Sequence, residues 1–320
     1  MKSTLWALLV LIPLSVLGQV PRESKLLPAK EWIAFQWEGS TLGNRYFDKA
    51  FMNVPFQIDS IPHRFKVQFD LGATNSMLYG NAIAPYLHAY PELATKLDTV
   101  NKPFRIQSRQ NGSFKDVEVH LEKTTFRLKH LMYFEGFGVK LTSDSVSSPT
   151  IKHVGTLGAS FFKNKVLVID YPNHRLLVLD SLDSETEKRF DFSECRIDKG
   201  RVKLPFTIGA KTYWVMFDTG SSIFPLVTNK KYFKKLADGS VTDTLTVSSW
   251  GKSFPALGRK PKEPIRLGST VLTQSKVYLM PNFNRFFKEE RIIGLTGNAL
   301  FLESVIAVDF KNGKFGILKE

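Results

Sequence analysis

The 320-residue sequence has a single cysteine, Cys195, so no intrachain disulfide can form. A disulfide-stapled scaffold and a cysteine-based zinc site are both excluded. Histidine is scarce and scattered, with no HExxH and no pair at i, i+4. That spacing argues against a histidine metal site, and no metal or cofactor is expected. No Gly-Xaa-Ser-Xaa-Gly elbow occurs, and no histidine is placed by sequence to activate Cys195, so a serine or cysteine hydrolase is disfavoured. Past the first 18 residues no apolar run is long enough to span a bilayer. Arginine blocks and an RNA-binding aromatic signature are also missing. The net charge of +14 therefore reads as a solvated basic surface, and nucleic acid is not an expected partner.

What is present is ordinary for a globular chain, with 43% apolar and 23% charged residues. Wholesale disorder is excluded, and the length calls for two domains or two lobes. Met1 to Gly18 reads as a signal peptide, with Lys2 in its positive region and an apolar stretch from Leu5 to Leu17. Cleavage after Gly18 leaves Gln19 as the first residue, and the absence of a following cysteine excludes a lipoprotein anchor. Export to a secreted or periplasmic location is the expectation. Asn111-Gly112-Ser113 fits an N-glycosylation acceptor.

The chain repeats itself. Val54-Pro55-Phe56-Gln57-Ile58 leads to Phe65, Val67, Phe69 and then Asp70-Leu71-Gly72-Ala73-Thr74. Leu204-Pro205-Phe206-Thr207-Ile208 leads to Tyr213, Val215, Phe217 and then Asp218-Thr219-Gly220-Ser221-Ser222. Each copy alternates apolar and polar residues at strand period, turns, and alternates again up to an aspartate. Asn81 and Asn229 follow at the same distance and suit helix N-caps, opening helical stretches Ala82 to Leu97 and Lys230 to Leu236. A second block closes each copy: Gly155-Thr156-Leu157-Gly158 running to Asp170 and Leu179, and Gly294-Leu295-Thr296-Gly297 running to Asp309 and Leu318. Asp170 and Asp309 each precede a hairpin turn and read as turn formers.

Duplication gives the organisation: signal peptide 1–18, a leader 19–27, one lobe 28–182 with the Asp70 turn, a linker 183–194 and a second lobe 195–320 with the Asp218 turn. The rest is mostly short strands, with strand pairs expected in Thr124 to Phe134 and in Pro264 to Leu279. The expected fold class is mostly β, bilobal, with a few short helices.

A strand ending in Asp-Xaa-Gly fixes a carboxylate on a buried sheet, and the glycine permits positive φ or close approach of another backbone. Pseudo-two-fold pairing of two copies would bring Asp70 and Asp218 face to face. Two carboxylates in contact share a proton. The charged one can take a proton from water while the protonated one polarises a carbonyl.

These residues resemble the aspartic proteases of the pepsin and retropepsin type. Phe217-Asp218-Thr219-Gly220-Ser221-Ser222 matches the family motif, and Phe69-Asp70-Leu71-Gly72-Ala73-Thr74 matches it except at Leu71. The resemblance covers nearly the whole mature chain as landmarks, including the glycine blocks that pass behind each turn. It implies a two-lobed single chain, a cleft for an extended peptide or protein substrate, and a hairpin cover. It also implies an Asp70/Asp218 dyad, turns set by Gly72 and Gly220, and bracing by Thr219 and Ser221, with Ala73 tolerated. One chain supplies both aspartates, so nothing argues against a monomer.

Leu71 lacks the hydroxyl that the family uses to lock the two turns together. That favours, as the alternative, a peptide-binding protein of the same fold with weak or no chemistry. By order along the chain, Phe104 to Val117 and Thr246 to Pro255 are the cover hairpins. Trp250 at the second tip is a candidate substrate contact. Arg105, Arg109 and Lys115 on the first read as solvated charge; were they to hang over the dyad, they would lower its pKa values.

Overall fold

The computed structural model describes residues 31–106, 109–249, 252–273 and 275–319. The signal peptide, the leader and Trp250 lie outside the described residues.

The two halves share one strand order. In the first, Arg45–Ile58 runs antiparallel to Phe65–Asp70, which runs parallel to Lys152–Gly158. That strand is antiparallel to Met77–Tyr79, which is parallel to Thr124–Phe134. In the second, Arg201–Ile208, Lys211–Phe217, Gly294–Thr296, Leu226–Thr228 and Val277–Leu279 repeat the same sequence of pairings with the same directions. Alternation places Phe65, Val67 and Phe69 inside one half, and Val215 and Phe217 inside the other.

A third sheet, of six strands, joins the halves. Val166–Asp170 pairs antiparallel with Val305–Asp309 at its centre. Val168 faces Ala307, and these two hold matching positions in the repeat. The duplicated strands thus pair about a local two-fold axis. The stretch between the halves is structured: Ser184–Lys188 is a helix capped by Asp183, and Phe190–Glu194 is an edge strand of the shared sheet. Cys195 beside it is buried, and burial pushes its thiol up to about 12, so it is inert as a nucleophile.

Several local expectations are corrected. The helix expected over Ala82 to Leu97 is two helices, Gly80–Ala89 and Pro91–Thr95, and Leu97 already lies in a strand. Pro91 forces the break, because the residue before a proline avoids helical geometry and Tyr90 sits at φ −126°, ψ 81°. Asn81 is not an N-cap; the helix starts one residue earlier, and its amide donates to the Gly138 carbonyl. Asn229 does cap its helix, accepting from the Tyr232 amide. Thr124–Phe134 is one strand, not a pair, because its partner Ser113–Leu121 runs alongside it through a tight turn at Glu122. Asn111 is fully buried in a strand, which leaves no room for a glycan. Among the described residues no helix is long and apolar enough to cross a membrane.

Candidate active site

Each aspartate sits just beyond a buried phenylalanine. Phe69 packs edge-on against Phe162 with centroids 5.6 Å apart, and Phe217 against Phe301 at 5.5 Å. Phe162 and Phe301 hold matching positions in the second repeated block. Each Asp-bearing strand is thereby fixed to the strand that passes behind its own turn. Edge-to-face pairs of this kind contribute about 0.5–1.5 kcal/mol beyond burial.

The turns then meet. Gly72 lies against the Asp218 carboxyl and Gly220 against the Asp70 carboxyl, so close that a Cβ at either would overlap it. Neither glycine has positive φ. Of the two reasons for a glycine here, close approach is the one that operates. Asp70 Oδ1 accepts from Gly72 N at 2.8 Å and from Ala73 N at 3.1 Å. Asp218 Oδ1 accepts from Gly220 N at 2.9 Å, and its Oδ2 from the Ser221 hydroxyl at 3.0 Å.

Burial raises both carboxyls above the ordinary carboxylate range. For Asp70 the charge of Asp218 adds to the effect. For Asp218 the Ser221 hydroxyl works against it, stabilising the charged form. Ala73 offers Asp70 no such hydroxyl. The Ser221 hydrogen bond favours charge on Asp218 within a pair that shares its proton. Both aspartates are half-buried as residues.

Thr219 locks the turns together by itself. Its hydroxyl accepts from Leu71 N at 2.9 Å and donates to Phe69 O at 3.0 Å. Leu71 and Thr219 are both fully buried. Leu71 fills its space with hydrocarbon, and half of the cross-lock remains.

Two further side chains stand behind the turns. Asn298 donates to Thr219 O at 3.1 Å and to the Ser222 hydroxyl at 3.0 Å, while accepting from Tyr171 of the first half at 2.7 Å. The signal was there in the comparison of the copies: the residue after the block's second glycine is Ala159 in one and Asn298 in the other, and both are buried. Burial raises the phenol of Tyr79, which is hydrogen-bonded to Thr156, and nearby Asp70 adds to the rise.

The first cover hairpin is shorter than the expected Phe104 to Val117, because Ser113–Leu121 leaves it to pair with Thr124–Phe134. Phe104–Ile106 pairs with Arg109–Asn111, and Phe104 and Ile106 pack into a cluster that includes Ala73 of the first turn. Thr246 faces Pro255 in the second hairpin. Arg109 reaches Glu135 at 3.8 Å and Lys115 reaches Asp98 at 2.6 Å. Burial, not a cation, dominates at the dyad, and the shift is upward. Asp170 is buried against Arg175 and takes hydrogen bonds from Asn173, and Asp309 accepts from the amides of Lys311 and Asn312. Both serve turns.

Strand order, shared sheet and crossed turns define a bilobal β fold of the pepsin-like kind. No family model matches the chain, and no curated protein matches it. Among solved structures it is similar to basic 7S globulin from soybean, at 10% identity and a TM-score of 0.44, over 90% of this chain and 93% of that one. The fold assignment rests on the strand order and register, not on this likeness.

Proposed function

We propose that the protein is an exported aspartic-type endopeptidase. One observation carries the reading: the turns interlock so tightly that each glycine abuts the other turn's carboxylate. A water held between the carboxyls loses a proton to Asp218 as its oxygen attacks the peptide carbonyl carbon. Asp70 gives its proton to the carbonyl oxygen, forming a diol. As the C–N bond breaks, Asp218 passes its proton to the leaving nitrogen and Asp70 recovers one from the diol.

The test is cleavage of an unfolded protein substrate between about pH 3 and pH 7, comparing wild type with Asp218→Asn. Loss of the base should reduce the rate by about a thousandfold or more. Cleavage that survives in the variant excludes the dyad. Export is part of the same proposal, and N-terminal sequencing of the secreted protein should begin at Gln19.

Leu71 supports a second reading, a peptide-binding protein of this fold without efficient chemistry. Its buried hydrocarbon stands where a hydroxyl would complete the cross-lock. A folded wild type that binds peptides and cleaves none would favour it.

A further inference from the structure

The halves differ in the hairpin that opens each of them. In the first, strands Gln36–Leu42 and Arg45–Ile58 form a long ribbon, paired from Gln36 opposite Asn53 to Leu42 opposite Arg45. Its tip reaches the other half, where Arg45 meets Asp243 at 3.2 Å. The matching hairpin of the second half pairs only from Arg196 opposite Lys203 to Asp198 opposite Arg201. The chain leads into both hairpins in the same way. Ile33 pairs with Leu176, and Ser193 with Phe315. Phe35 N donates to His174 O at 2.9 Å, and Cys195 N to Gly313 O at 2.8 Å. Leu176 and Phe315 hold matching positions in the repeat, as do His174 and Gly313. Phe35 is thus the counterpart of Cys195, and Trp37 that of Ile197.

These counterparts differ in bulk. Phe35 packs on His174, and Trp37 lies flat on Tyr171 with centroids 6.2 Å apart and planes 12° apart. Two rings therefore cover the turn 171–174. At its counterpart, the turn 310–313, the chain supplies Cys195 and Ile197, which have no ring. A cavity of about 690 Å³ lies there, walled by Ile197, Gly200 and Phe310 of the second half and by Thr74 and Ala159 of the first. Three exposed lysines also line it, Lys163, Lys199 and Lys311. The carboxylates beside them are held elsewhere: Asp198 by Lys203 at 2.8 Å, Asp180 by Lys165 at 2.5 Å, and Asp309 by the amides of Lys311 and Asn312. Among the described residues none of the three lysines has a carboxylate at ion-pair distance.

We propose that this cavity is a binding site for an aromatic group that carries negative charge. The ring takes the place that Trp37 takes in the first half, against Ile197 and Phe310, and the lysines meet the charge. The volume suits a small organic ligand, since such sites run from about 300 to 1,000 Å³. The stretch 19–30 has no aromatic residue and sets Glu23 against Arg22, Lys25 and Lys30, so it has neither feature of the ligand. The site does not depend on the peptidase reading. Its wall is nonetheless fastened to the first aspartate turn, because Ala159 N donates to Ala73 O at 2.9 Å and Ser160 N to Thr74 O at 3.0 Å.

Calorimetry with indoleacetate and with the peptide Glu-Glu-Trp-Glu-Glu tests the site and separates a free ligand from a peptide-borne one. At least one probe should bind, and neutral indoleacetamide should bind about 5- to 20-fold more weakly than indoleacetate. That difference should shrink in about 1 M salt. Ile197→Trp gives the second half the ring that the first half has, and should abolish binding. Lys163→Ala, Lys199→Ala and Lys311→Ala together should reduce indoleacetate to the affinity of its amide without lowering the melting temperature. Amide exchange at Ala159 and Ser160 should slow when the site is filled. Indoleacetate binding alone marks a free ligand and peptide binding alone a peptide-borne one, and either supports the site. No binding of either probe at about 1 mM overturns it. So does binding that Ile197→Trp leaves unchanged, or binding that the triple lysine variant leaves unchanged. The lysine variant alters only exposed residues and decides the matter even where Ile197→Trp does not fold.

Discussion

The second half's aspartate turn carries hydroxyls at two positions where the first half's carries hydrocarbon: Thr219 against Leu71, and Ser221 against Ala73. The backbones of the two turns do the same work. Each glycine admits the opposite carboxylate, and each aspartate accepts from the amide two residues on. The polar duties, however, have moved to one side. Thr219 bridges to both Phe69 and Leu71, and Ser221 adds a hydroxyl to the amides that steady the Asp218 carboxylate. In return the first half sends its long ribbon across to the second. A duplicated fold needs its backbone in both copies, but a side-chain function only once.

Breaking what the halves share should cost most. Gly220→Ala drives a methyl into the Asp70 carboxyl and Gly72→Ala drives one into Asp218. Displacing a reacting group by about 1 Å lowers rates by about a hundredfold, and cleavage of a short peptide by either variant should fall that far. Both variants should also lose about 1–3 kcal/mol in denaturant unfolding.

What only the second half does should come next. Thr219→Val strands the buried Leu71 amide and Phe69 carbonyl. Unfolding in urea should show a loss of about 1–3 kcal/mol, with cleavage falling less than in the glycine variants.

The asymmetry of charge predicts a pH effect. Asp70's folded pKa is raised, so above the unfolded carboxylate value the native state keeps a proton that the unfolded chain releases. Its contribution to stability is therefore full at acid pH and is lost as pH rises from about 4 toward the raised folded value. Asp70→Asn removes that dependence. Its melting temperature should exceed wild type by a few degrees at about pH 7, with the gap closing near pH 4. A gap that widens toward acid would contradict the raised pKa. Cleavage should likewise persist above the ordinary carboxylate range and fail as the shared proton is lost.

Restoring symmetry should matter least. Leu71→Thr adds the missing hydroxyl but gives up buried hydrocarbon, so stability should change by about 1 kcal/mol or less. Cleavage should change less than tenfold, because Thr219 already holds the turns. A larger gain would show that Leu71 limits the chemistry.

The strand pattern was legible because alternation at period two shows in the residues themselves, and a duplication shows it twice. Asp70, Asp218 and their glycines stood out for the same reason. The helix break at Tyr90 is written in one residue, Pro91, inside a stretch that otherwise reads as a single helix. Likeness between the copies does not reveal Asn298, because its role lies where they differ, with Ala159 at the matching position. The ribbon's reach was not legible, since its residues alternate as any hairpin's do and only the distant lobe gives them an end point.

Composition, periodicity and repetition by themselves determined a mostly β chain, two copies of one strand order, and a pair of aspartates at matching turns. These follow from local rules that each residue obeys wherever it sits. Tertiary structure alone decided that Gly72 and Gly220 serve close approach and not positive φ, and that Thr219 locks both turns unaided. It also decided that burial raises both carboxyls of the pair, and that Arg45 finds Asp243. Each depends on atoms of the two halves meeting in space, and burial at that meeting sets both the pKa values and the room left for a side chain.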